Sequence, residues 1–131
     1  MKKSIVMIAA GLLLAGCTAS KPSPERHAIA FTENHSSAGG GVRFNASSTY
    51  RNIIPVFEET YEKGKMDRIV GHDLHYAIKH AAMINEEARH RLSQRYDRSG
   101  ESEQVQSDSQ DADLFGKELS AAYLDGYNGV D

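Results

Sequence analysis

The chain has one cysteine, Cys17, and it stands just beyond an apolar run. These two facts set the terms of folding. A lone cysteine forms no intrachain disulfide, so a small domain here must be held by packing alone or by a partner. The run spans Ile5 to Leu14, apolar or small at every position, and Lys2 and Lys3 precede it. A positive start, a short apolar stretch and small residues after it are the marks of a secretory signal. The run falls well short of the roughly 20 residues a helix needs to cross a bilayer. Residues 1–16 are therefore expected to leave on export. That leaves 115 of the 131 residues, enough for one small domain.

The residues at the expected cut are Leu14-Ala15-Gly16-Cys17, which resemble the lipobox of bacterial lipoproteins. Small Ala15 and Gly16 let the backbone enter a signal-peptidase cleft, and the Cys17 thiol is the good nucleophile nearby for a diacylglyceryl group. The resemblance implies that Cys17 becomes the mature amino terminus and is acylated a second time. Two or more chains, at about 0.8 kcal/mol per buried CH₂, anchor a protein firmly where one binds marginally. Thr18 stands where an Asp would signal retention at the inner membrane, so the resemblance implies the outer membrane. The membrane, reached through lipid on Cys17, is thus the first expected partner.

With Lys2 and Lys3 removed, 13 basic residues face 18 acidic ones, a charge of −5. No basic run appears, and the aromatics do not interleave with Lys or Arg. Both observations argue against nucleic acid as a partner.

Residues 17–48 read as the lipidated cysteine followed by a flexible tether. They are mostly small and polar, with Pro22, Pro24 and the run Gly39-Gly40-Gly41, a composition too poor in apolar surface to offset ordering. Inside this stretch, Glu25 to Phe31 form an island. It reads as a helical turn packing on the core, with a docking segment as the alternative. The three glycines are no phosphate loop, since no Gly-Lys-Ser/Thr follows them.

Residues 49–131 read as a small helical domain. Tyr50, Ile53, Ile54, Phe57, Tyr61 and Ile69 recur at helical spacing and predict a helix over 50–69. Pro55 would sit in its first turn, with regular helix from near Ile54 and Asn52 as a cap. Gly71 is a stop. Asp73 caps a second helix over 74–96, in which Leu74, Ile78, Ala81, Ile84, Ala88 and Leu92 line one face. Residues 97–112 read as a disordered acidic loop, and a third helix over about 113–126 carries Leu114, Phe115, Leu119, Ala122 and Tyr123, capped by Asp111 or Asp113. No stretch alternates with period two. The expected class is all-α, a bundle of about three helices.

The chemistry-bearing residues are sparse. His72 and His75 are the densest pair of histidines, but no third ligand lies at a telling spacing, so no metal or other cofactor is expected. No serine sits in a Gly-x-Ser-x-Gly motif, and Glu58-Glu59 and Glu86-Glu87, adjacent in sequence, diverge on a helix. The expected role is non-enzymatic. A periplasmic cation- or ligand-binding lipoprotein, using the histidines and the acidic loop, is one alternative; a general envelope-structural lipoprotein is another.

Two short segments are alike: Tyr61-x-x-Gly64 with Asp67, and Tyr123-x-x-Gly126 with Tyr127. Three residues apart on a helix, Tyr and Gly share a face, and Gly lets a second helix approach closely. The pattern suits a packing device between the first and third helices. Its alternative is an interaction surface made of Tyr61, Gly64, Asp67, Tyr123, Gly126 and Tyr127.

Four stretches resemble the entry-exclusion lipoproteins of small colicin-type mobilisable plasmids. They are the lipobox at 14–17, Glu25-Arg26-His27-Ala28, Asn52-Ile53-Ile54-Pro55-Val56-Phe57 running on to Tyr61-x-x-Gly64-x-x-Asp67-Arg68, and Ala121-Ala122-Tyr123-Leu124-Asp125-Gly126-Tyr127-Asn128-Gly129. The resemblance implies a plasmid-linked role in conjugation, in which the cell becomes a poor recipient for a related plasmid, with no mechanism attached; contact with an envelope protein partner is the expected mode of action. It carries over no catalytic residues.

Overall fold

The computed structural model describes residues 21–38, 46–96 and 105–131. Every regular element among them is a helix: α1 (Ser23–Ala38), α2 (Ala46–Val70), α3 (Leu74–Tyr96) and α4 (Val105–Asn128). The all-α expectation holds, with four helices in place of about three. The signal peptide, Leu14, Ala15, Gly16 and Cys17 lie outside the described residues.

The helices begin and end for local reasons. Gly71 adopts a φ of 95°, and the chain closes α2 with two backbone bonds, Gly71 N–H to the Arg68 carbonyl and His72 N–H to the Asp67 carbonyl. This is the paired pattern that satisfies the last carbonyls of a helix, and it needs a residue tolerant of positive φ. Two residues later the Asp73 carboxylate accepts the Tyr76 N–H at 2.8 Å and opens α3. Both signals stood in the sequence.

Three expectations are corrected. The tether was expected to run through residue 48, yet residues 23–38 form α1. Pro24 falls in its first turn, where the missing N–H costs nothing, and Ala28 and Phe31 are buried. The packing island of 25–31 is thus real and longer than expected. Second, α2 begins at Ala46, so Pro55 lies inside the helix and Asn52 is no cap. The N–H lost at Pro55 would have served the Arg51 carbonyl. Both residues are on the exposed face, where water can take that place. Third, α4 starts at Val105, so residues 105–112 are helical and neither Asp111 nor Asp113 is a cap. Asp111 is buried, and Asp113 pairs with Arg89 of α3.

α4 is the centre of the assembly, packing on α1, α2 and α3, while α1 also packs on α2. One core cluster joins Ala28 and Phe31 of α1, Phe57 of α2, Ala88 of α3, and Leu119 and Ala122 of α4. Phe115 meets Phe31 and Phe57 edge-on, with centroids 5.2 and 5.7 Å apart, the arrangement that ring quadrupoles favour. A second cluster holds Ala77, Ala81, Tyr123 and Tyr127. Alanine supplies much of both, which lets the helix axes come close. The periodic face predicted for α3 is rotated at its start: Ala77 is buried, whereas Leu74 and Ile78 are exposed, as is Ile69 at the end of α2.

Candidate functional site

The six residues named as an alternative interaction surface form an internal seam. Tyr61, Asp67, Tyr123 and Tyr127 are buried, and Gly64 and Gly126 are buried between α2 and α4. The contact is reciprocal. A Cβ added at Gly64 would stand 2.0 Å from the Tyr123 carbonyl oxygen, and one at Gly126 would stand 2.0 Å from the Tyr61 carbonyl oxygen. Each Tyr-x-x-Gly segment thus seats its glycine on the carbonyl of the other's tyrosine. The packing reading holds, and the surface reading is corrected, because these side chains face each other and leave no face for a partner.

The tyrosine hydroxyls extend the seam into a polar network. Tyr123 donates to the Asp67 carboxylate at 2.7 Å, and Lys63 approaches that carboxylate at 3.7 Å. Burial, and then the bond to Asp67, push the Tyr123 phenol well above its ordinary value of 10.0. Tyr127 donates to the His72 carbonyl at 2.6 Å, tying the end of α4 to the α2–α3 turn. The Arg68 guanidinium lies over the Tyr127 ring, 5.2 Å from its centroid. A ring ladder runs beside the network. His72 stacks on Tyr76 at 3.8 Å, Tyr76 meets His80 at 5.6 Å, and His80 stacks on Tyr123 at 5.1 Å. Burial first, and the Lys63 charge second, hold the His80 imidazole below 6.5.

Sequence reasoning missed a clasp between α1 and α4. Asp125 Oδ2 accepts the Ser23 hydroxyl at 2.8 Å and meets His27 Nε2 at 3.1 Å, while His27 Nδ1 meets Glu118 Oε2 at 2.7 Å. Arg26 reaches the same Asp125 oxygen at 3.4 Å and the Asp131 carbonyl. Ser23 is fully buried and donates to a carboxylate. The clasp fixes the start of α1 against the last turns of α4. The Ser, Arg, His, Glu and Asp were all visible, but partners some hundred residues apart carry no spacing signal.

His72 belongs to the ring ladder, and His75 is exposed. Among the described residues no three His, Cys, Asp or Glu side chains are placed to hold a metal ion. No described helix is long and apolar enough to cross a membrane. Compared with known proteins, the chain matches no family model, no curated protein and no solved structure.

Proposed function

We propose that this chain is a lipoprotein of the cell envelope, anchored at the outer membrane through Cys17, and that it acts by contact and without catalysis in plasmid entry exclusion. The observation that carries the anchor is Leu14-Ala15-Gly16-Cys17 at the end of a positively flanked apolar run. The role rests on the resemblance of residues 25–28, 52–68 and 121–129 to entry-exclusion lipoproteins. Those stretches supply the clasp residues Arg26 and His27, the core residue Phe57 and the Tyr–Gly seam. Those named residues belong to the scaffold of the bundle, so contact with an envelope protein would fall to exposed positions of the helices.

The test is mating frequency into recipients that express the protein, against recipients with an empty vector, using a related mobilisable plasmid and an unrelated one. The proposal predicts a drop for the related plasmid alone, abolished by Cys17→Ala. Equal frequencies for both plasmids, with the protein present in the membrane, would remove the exclusion role.

A further inference from the structure

The α2–α3 turn carries an apolar surface that the bundle does not use. Ile69 is 73% exposed, Val70 68%, Leu74 54% and Ile78 56%. Ile69, Val70 and Leu74 bracket the turn within six residues, and Ile78 lies one helical turn beyond Leu74. Branched aliphatics this exposed, gathered at one loop, mark a contact surface more often than chance scatter does.

Where this surface sits in the bundle identifies what covers it. Tyr127, in the last turn of α4, bonds the His72 carbonyl in the α2–α3 turn. Asp125 and Asp131, at the same end of α4, hold Ser23 and Arg26 at the start of α1. The turn and the start of α1 therefore lie at one end of the molecule. Lys21 is four residues from Cys17, a span of at most about 14 Å even when fully extended. A lipid on Cys17 brings this end of the bundle to the bilayer. Arg68 and Lys79 flank the aliphatics and are exposed, while Lys21, beside the start of α1, pairs with Glu25 at 3.2 Å. Asp73, which caps α3, and Asp131, which accepts the Tyr61 hydroxyl, keep their negative charge at this end. Exposed aliphatics with Arg and Lys beside them suit the interface of a bilayer.

We propose that the α2–α3 turn is a second membrane contact: Ile69, Val70, Leu74 and Ile78 enter the interface of the bilayer, and Arg68 and Lys79 meet its headgroups. The bundle then stands end-on at the membrane. This orientation rests on the lipid anchor proposed above, and the experiment reads the two separately. The chain has no Trp, so Ile69→Trp, Leu74→Trp and Met83→Trp each give a single fluorophore at an exposed position. Met83 lies nine residues beyond Leu74, about 13 Å along α3, past the 5–10 Å depth that interfacial residues reach.

The full-length protein, as produced in cells, is placed with vesicles of phosphatidylethanolamine and phosphatidylglycerol carrying brominated acyl chains. Mass measurement of the amino-terminal peptide reports acylation independently. The expected result is a blue shift and loss of emission for Trp at 69 and 74, with emission at 83 unchanged. Unquenched emission at 69 and 74 would overturn the contact even in acylated protein, and would leave the surface to a protein partner. Quenching at all three positions would overturn the end-on orientation.

Discussion

Gly64→Ala tests the seam at its tightest point. In an ordinary helix interior the change stabilises by up to about 1 kcal/mol, because Gly has the more to lose on ordering. Here the new Cβ would lie 2.0 Å from the Tyr123 carbonyl oxygen, where real contacts stay beyond 3.0 Å. That oxygen belongs to helix backbone and cannot rotate aside. The helices must separate by about 1 Å, a gap that forfeits between a quarter and a half of the dispersion attraction across the contact. Overpacking costs of 1–3 kcal/mol are usual, and a backbone clash belongs at or above the upper end. Against the propensity gain, the net loss is about 2 kcal/mol, which for a domain of this size lowers Tm by roughly 10 °C. Thermal unfolding followed by far-UV circular dichroism measures it. Gly126→Ala meets the Tyr61 carbonyl in the same way, and a single separation of α2 from α4 relieves both clashes. The double variant should therefore cost much less than the sum of the two singles. An increase in Tm for Gly64→Ala, or strict additivity in the double variant, would refute the reciprocal seam.

Other consequences follow from the same contacts. Tyr123→Phe leaves the buried Asp67 carboxylate without its 2.7 Å donor, and urea unfolding at neutral pH should show a loss of about 1.5–3 kcal/mol; an unchanged midpoint would contradict the bond. Because the folded-state Tyr123 pKa is raised above 10.0, the unfolded chain gives up that proton first, so stability should fall as pH rises past 10 and fall less steeply in Tyr123→Phe. His80 is held below 6.5 in the folded state, so on acidification the unfolded chain takes the proton first. Stability should decline as pH drops below 6.5, with a shallower decline in His80→Phe. Asp125→Asn removes the carboxylate on which Ser23, Arg26 and His27 converge. Hydrogen exchange should then quicken in α1 while α2 and α3 keep their protection; uniform quickening would mean that α1 does not open separately.

The sequence disclosed the fold wherever a signal was local. Gly71 and Asp73 punctuate α2 and α3 because the carbonyls and amides they satisfy lie within five residues. Phe57, Ala88, Leu119 and Ala122 fall on the stripes their spacing predicts. Where partners are distant, or the apolar payload is small, the sequence was mute. Beyond the turn read at 25–31, α1 hides because its buried face is made of Ser23, Pro24, Ala28, Phe31 and Thr32, of which Phe31 alone is large and apolar. The start of α4 hides because Asp111 and Asp113 look solvated, although Asp111 is buried and Asp113 meets Arg89 across the bundle. The likeness of the two Tyr-x-x-Gly segments was visible; that each glycine rests on the other's tyrosine carbonyl takes the fold to see. The same limit explains Leu74 and Ile78. Their spacing suits a core stripe, but α4 sits over Ala77 and Ala81 and leaves them exposed.

The proposed anchor at Cys17 underlies both the proposed exclusion role and the proposed membrane contact of the α2–α3 turn, and the mass of the mature amino-terminal peptide tests it most directly. The account predicts a peptide that begins at Cys17 and carries a diacylglyceryl group and a further acyl chain. A peptide that retains Met1 to Gly16, or one that begins at Cys17 with a free thiol, would contradict it.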